Sequence, residues 1–260
     1  MFWLPLAIKM AVTAAFVVIA TKAAERAGSL VGAMIATLPI AAGPSYFFLS
    51  LDHSNVFIAD SALASLVVNA VTAIFAVVYA TLAARRGLAV SLGAALFVWF
   101  GLAAVVRLVP WTTVTAIAFS VVVFAVCFLL ANRLTRVPMP PARREWYDVP
   151  LRALLVGFLV AVVVGLSEQL GPTVTGILAV FPIVLVSLTL ILQPRVGGPA
   201  SASVMADTIH GLLGFSLCCL TARLLVPPLG AALGLILALA MSVGANMGIL
   251  TLRRRARRAG

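Results

Sequence analysis

Charge is scarce in this chain. Of 260 residues only 7 are acidic and 2 are histidine, and charged residues of both signs make up 10%, against roughly 25% in a soluble globular domain. That is too little polar surface to cover a water-soluble fold of this length. The 3 cysteines, Cys127, Cys218 and Cys219, all lie inside apolar runs. They have neither the spacing nor the histidine partners of a zinc site, and they read as small buried apolar residues. A multi-histidine metal centre and a secreted disulfide scaffold are excluded. The phosphate-loop pattern GxxxxGK[ST], the zinc-protease pattern HExxH and the nucleophile elbow GxSxG are also missing, so no cofactor, metal or enzymatic centre is expected and ATP-driven pumping would need a partner subunit.

What the chain has instead is apolar length. Hydrophobic residues make up 63% and the mean hydropathy is +1.20. Apolar runs fall at 4–21, 28–50, 57–83, 88–106, 111–131, 151–167, 172–192, 201–225 and 229–250, most close to the roughly 20 residues that cross about 30 Å of hydrocarbon as a helix. Turn and charge signals separate them, from Lys22/Glu25/Arg26 and Asp52-His53-Ser54-Asn55 to Arg85-Arg86, Arg107 to Pro110, and Gln193 to Pro199. Only self-bonded backbone survives in lipid, and the runs are too long for barrel strands. The expected fold class is all-α: a polytopic integral membrane protein with nine transmembrane helices. The first run lacks a basic leader, since Lys9 is its only early cation, and it continues to Ala20; it reads as a retained span rather than a signal peptide.

The formal charge of +11 would suggest nucleic acid in a soluble protein, but these cations flank spans. With nine spans, one side of the membrane collects Lys22, Arg26, Arg85, Arg86, Arg133, Arg136, Arg143, Arg144, Arg152, Arg195, Arg253, Arg254, Arg255, Arg257 and Arg258. The other holds Arg107 and Arg223, with Lys9 inside span 1. Cytoplasmic loops carry such an excess, so the N-terminus is expected outside and the C-terminus in the cytoplasm, with no nucleic-acid partner. The lipid bilayer is the expected partner, with anionic lipid at the tail from Arg253 to Arg258. Arg-over-Lys usage and abundant Ala and Val point to a bacterial cytoplasmic (inner) membrane. Homo-oligomerisation is left open.

A shift of 143 positions pairs Trp3 with Trp146, Lys9 with Arg152, Glu25 with Glu168, Gly28 with Gly171, Ala36 with Ala179, Pro39 with Pro182 and Ile40 with Ile183. Ala59-Asp60-Ser61 then matches Ala206-Asp207-Thr208, and LGAAL occurs at 92–96 and 229–233. In this order the matches indicate a repeat: a first four-helix unit at 1–109, a connector helix and loop at 110–145, a second unit at 146–252, and a basic tail at 253–260. An odd connector between even repeats forces opposite membrane orientations, the 4+1+4 inverted-topology plan of many secondary transporters. The stretch Gly176-Ile177-Leu178-Ala179-Val180-Phe181-Pro182, with the apolar run after it and Gly197-Gly198, resembles the GlpM-like small four-span inner-membrane proteins. The resemblance implies a fused tandem of two such units and bears on architecture more than on activity. The first half departs from it at Leu38, where the second has Phe181.

Spans 2 and 7 each carry small residues at four-residue spacing, Gly28/Gly32/Ala36 and Gly171/Thr175/Ala179, followed by Pro39 and Pro182. Small residues allow close helix packing in lipid, and each proline removes a helical hydrogen bond near mid-span. Gly43-Pro44 is expected to loosen span 2 further. Two broken helices in an inverted pair would offer backbone groups to a solute or ion, although such prolines also act as simple kinks. Asp60 and Asp207 lie just inside spans 3 and 8, and His210 follows Asp207 by three residues. Intramembrane acids point to function, and an Asp–His pair can pass protons; a carboxylate reaching the interface is the structural alternative. Asn69, Thr37, Ser45, Tyr46, Ser187 and Thr189 would line a polar cavity or bond across helices. The resulting expectation is a secondary transporter or permease for an unknown small solute or ion, with proton coupling through Asp207, His210 and Asp60. The alternatives are a non-transporting membrane subunit or assembly factor, or an integral-membrane enzyme.

Overall fold

The computed structural model describes residues 3–26, 42–134, 137, 145 and 147–259. These form helices α1 (Trp3–Arg26), α2 (Ala42–Asp52), α3 (Asn55–Ala83), α4 (Leu88–Val106), α5 (Thr113–Asn132), α6 (Asp148–Ala179), α7 (Ile183–Val196) and α8 (Gly198–Ala259), with no strand among the described residues. Five helical stretches are long and apolar enough to cross a membrane: α3, α4, α5, 148–196 and 198–252. Their outer faces are apolar. Phe97 is 81% exposed and Val114 76%, with Leu129, Leu233 and Ile236 also exposed. Such faces would be unstable in water and suit hydrocarbon, so the chain is read as membrane-embedded.

Local chemistry explains the helix ends. Ser54 caps α3 by accepting from the Phe57 N–H, and Thr112 and Thr115 form a reciprocal capping box at α5. The two long helices are each interrupted at a glycine, and the nine separate spans expected from sequence are not resolved among the described residues. Gly171 (φ 70°, ψ 173°) breaks α6 before Pro172, and Gly230 (φ 82°, ψ 161°) breaks α8 after Pro227-Pro228; a side chain at either angle would clash. Gly43 and Pro44 are both helical within α2, whose described stretch begins at Ala42.

Helix α3 is the axis of the bundle. It packs against α4, α5, α6 and α8, while α1 and α2 pack on α6. Of its central stretch 89% is buried, against 28% for α5. Its own Phe75 and Tyr79 share a core cluster with Trp99 from α4 and Met205 and Ile209 from α8. A second cluster joins Val17, Leu49 and Ile58 to Val156 and Val160. Lipid is as apolar as these side chains, so close packing and interhelical hydrogen bonds, rather than escape from water, hold the helices together. The partners of α3 on α8 descend as α3 ascends: Asp60 with Arg223, Asn69 with Ser216, Tyr79 with Ser201. The two helices therefore run antiparallel.

Candidate functional site: a polar seam along α3

Ser61, Ser65, Asn69, Thr72 and Tyr79 follow one another along α3 at intervals of 4, 4, 3 and 7 residues, which keeps them on one helical face. None is more than 3% exposed. At one end the Tyr46 hydroxyl of α2 donates to Ser65 Oγ (2.7 Å), and Ser65 donates to the Gly176 carbonyl (2.7 Å). At the next turn Asn69 Nδ2 donates to the Leu212 carbonyl and to Ser216 Oγ, both at 2.8 Å. Trp99 Nε1 then donates to Thr72 Oγ1 at 3.1 Å. At the far end Tyr79 donates to Gln193 Oε1 (2.7 Å) and is 2.8 Å from Ser201 Oγ, while Ser91 Oγ stands 3.5 Å from Gln193 Oε1. Side chains from four other helices, and a backbone carbonyl from a fifth, thus converge on one face of α3.

The middle and near end of the seam contain unused polar atoms. Ser61 Oγ, Asn69 Oδ1 and Thr175 Oγ1 are buried with no hydrogen-bond partner among the described residues. Close by, the segment 172–179 approaches α3 backbone to backbone: a Cβ on Gly176 would lie 2.1 Å from the Ser61 carbonyl oxygen. Immediately beyond, the chain is non-helical at 180–182 before α7 begins. Phe181 in this break packs edge-on against Trp99, with ring centroids 5.2 Å apart. Among the described residues no donor reaches the Ala179 or Val180 carbonyl.

Ion pairs flank the bundle. Asp60 pairs with Arg223, and Lys9 with Asp52. Arg195 clamps Asp148 with two bonds of 2.6 and 2.7 Å and also donates to the Tyr147 hydroxyl at 3.1 Å. Those guanidinium bonds hold the Asp148 carboxyl below the ordinary carboxylate range, and the carboxylate holds the guanidinium more firmly protonated.

Of the residues singled out from sequence, Asn69 and Tyr46 are in the seam, with Thr175 beside it and Pro182 at the break. Ser45 is buried next to Tyr46 and Ala179 lies in the second core cluster. Gly171 is a helix break rather than a packing position inside a helix. Ser187 and Thr189 are buried, but their hydroxyls bond to carbonyls of their own helix, Val184 and Val186. Asp60 is ion-paired with Arg223. Asp207 and His210 sit half-buried on α8, where His210 Nδ1 is 3.3 Å from the Asp207 backbone carbonyl and its ring lies 4.8 Å from Phe128. Gly28, Gly32, Ala36, Thr37 and Pro39 fall outside the described residues. Sequence reasoning missed Ser65, Thr72, Tyr79, Gln193, Ser201 and Ser216; the helical spacing of polar residues through the α3 run was the available signal. No protein-family model, curated protein or solved structure matches the chain.

Proposed function

We propose that the protein is a secondary permease for a small solute, built as two inverted four-helix units about a connector helix, with the seam along α3 as its solute path. The observation that carries this reading is the row of buried polar groups running the length of a membrane-buried helix, with two of their atoms, and Thr175 Oγ1 beside them, unpartnered among the described residues. The contacts support an inverted repeat. Two copies related by a two-fold axis bring equivalent residues together only at that axis. Asn69 bonds Ser216, and these positions are equivalent under the register that aligns Asp60 with Asp207. A Cβ on Gly157 would lie 3.7 Å from Ala14, its equivalent under the register that aligns Lys9 with Arg152. In this proposal the Asp60–Arg223 pair latches one side, the break at 180–182 supplies the hinge, and Asp207 with His210 carries the coupled proton. The GlpM-like resemblance enters as architecture alone, and the membrane is the bacterial cytoplasmic one with the C-terminus inside.

The test has two arms. Reporter fusions after Arg107 and after Arg136 should report opposite sides of the membrane; the same side removes the connector span and with it the inverted plan. Proteoliposomes holding the full chain should show counterflow of a small solute from a panel of amino acids, carboxylates and phosphates, abolished by Asn69→Leu. A correctly folded protein with no counterflow and no solute-driven proton movement would instead be a membrane subunit without transport.

A further inference from the structure

The turn between α3 and α4, the end of α7 and the start of α8 line an open pocket of about 520 Å³, a size within the roughly 300–1,000 Å³ range of small-molecule sites; from sequence Arg85 and Arg86 have only a topology role and no candidate site falls there. Its walls include Arg85, Arg86, Gln193 and Gly198, and no acidic residue. We propose that this cavity binds a small oxyanion, carboxylate or phosphate, through the guanidinium groups of Arg85 and Arg86 and the side-chain amide of Gln193.

Three observations carry the assignment. The first is charge. Among the described residues the ion pairs join Lys9, Arg195 and Arg223 to acids elsewhere, whereas the adjacent Arg85 and Arg86 have no carboxylate partner and their forked donors match carboxylate and phosphate oxygens. The second is the buried amide. Gln193 is only 7% exposed; its Nε2 spends one N–H on the Arg86 carbonyl at 3.3 Å, and the other has no partner among the described residues. A buried donor left unused is costly unless something fills it. The third is continuity. Gln193 Oε1, the oxygen of the same side-chain amide, accepts from Tyr79, the last member of the α3 seam, so the cavity opens at the end of the polar row. The preference of basic residues for the cytoplasmic side explains on which face the arginines lie; it does not explain a buried amide beneath them. As the identity of a transported solute the proposal rests on the permease reading; as a binding site it stands separately.

The test uses the full chain in nanodiscs of phosphatidylcholine alone, with sodium phosphate and sodium succinate as probes and sodium chloride at matched ionic strength as control. At least one probe should raise the thermal unfolding midpoint saturably. Arg85→Gln/Arg86→Gln, at exposed positions, should weaken the apparent affinity at least tenfold; Arg85→Lys/Arg86→Lys, which retains charge without the fork, should weaken it less. Arg254→Gln/Arg255→Gln in the tail should leave it unchanged. No saturable response, or a response equal in the Gln double variant, overturns the site. If only discs containing phosphatidylglycerol stabilise the protein, and only with Arg85 and Arg86 present, the occupant is a lipid headgroup and the solute assignment falls. Anion binding without counterflow sinks the permease reading and keeps the site; counterflow of a neutral or cationic solute without anion binding does the reverse.

Discussion

Gly176→Ala tests a backbone-to-backbone approach beside the α3 seam. The added Cβ would stand 2.1 Å from the Ser61 carbonyl oxygen, 2.9 Å from its carbon and 3.0 Å from Ala64 Cβ, where ordinary contact begins at 3.4 Å. The obstacle is backbone on a buried helix, so no rotamer change relieves it, and the segment 172–179 must withdraw by at least about 1 Å. Overpacking of this kind costs about 1–3 kcal/mol. Withdrawal also stretches the 2.7 Å bond from Ser65 to the Gly176 carbonyl, a loss of about 1 kcal/mol. The sum is about 2–4 kcal/mol, read by denaturant titration in mixed micelles against Gly211→Ala, where a Cβ meets nothing within 4 Å and a helical glycine-to-alanine change should be neutral or stabilising. Counterflow should fall with it, because the same displacement moves the break at 180–182. If Gly176→Ala is as stable as wild type, the segment 172–179 does not touch α3, and the candidate site loses one of its walls.

Other expectations follow from single contacts. Asn69→Leu removes two interhelical bonds and one unpartnered oxygen, so stability should change by less than about 1 kcal/mol while counterflow falls at least tenfold; the opposite pattern would make Asn69 structural. Asp60→Asn removes the charge but keeps a polar side chain of the same shape that can still accept from Arg223, so stability should change by no more than about 1 kcal/mol. It should nevertheless speed labelling of a Ser216→Cys reporter by an impermeant thiol reagent in a background without native cysteines, and an unchanged rate rules out a latch. Asp148 has a folded pKa below its unfolded value, held there by Arg195. Its contribution is therefore complete above the unfolded carboxylate value of about 3.9 and disappears as pH falls through the lower folded value. The stability gap between wild type and Asp148→Asn should be constant from pH 5 to 7 and close only on strong acidification; a gap closing near pH 6 would contradict the clamp.

Helix interruptions are only partly legible in the sequence. Pro182 reads as a break and the chain is non-helical there, whereas Gly171 reads as a packing position and Pro227-Pro228 and Gly230 carry no reading of their own, although each interruption has a local cause that needs no knowledge of the partner helix. The seam was less legible. Asn69 stood out as an amide in hydrocarbon, but Tyr79 and Gln193 are 114 positions apart and Asp60 and Arg223 are 163 apart. Arg223 reads as a stray exception to the charge asymmetry, and Gln193 as a loop residue, until the antiparallel crossing of α3 and α8 brings each to its partner. Ser187 and Thr189 show the converse: hydroxyls near a proline break look available for a cavity, yet a helical carbonyl three residues earlier can occupy them. Arg85 and Arg86 were legible only as topology markers because the cavity beside them is made by the start of α8, more than a hundred residues away.

Whether the α3 seam is a solute path or interhelical glue turns on its unsatisfied atoms. Glue improves packing only when its groups are paired: a buried hydroxyl or amide oxygen with no partner is destabilising by about 1–3 kcal/mol relative to a bonded one, and apolar residues of similar shape avoid that penalty. Near Tyr79 the bonds are nearly complete, as glue requires. Near Ser61, Asn69 and Thr175 they are not, and α3 is too buried for lipid headgroups or bulk water to reach them from outside. Ser61→Ala and Thr175→Val remove the open hydroxyls while keeping most of the shape, and each should raise stability by about 1 kcal/mol while slowing counterflow, since the polar atoms serve a solute or its water. If both variants instead lose stability, those hydroxyls are bonded within the protein, the seam is structural along its whole length, and the solute must cross elsewhere.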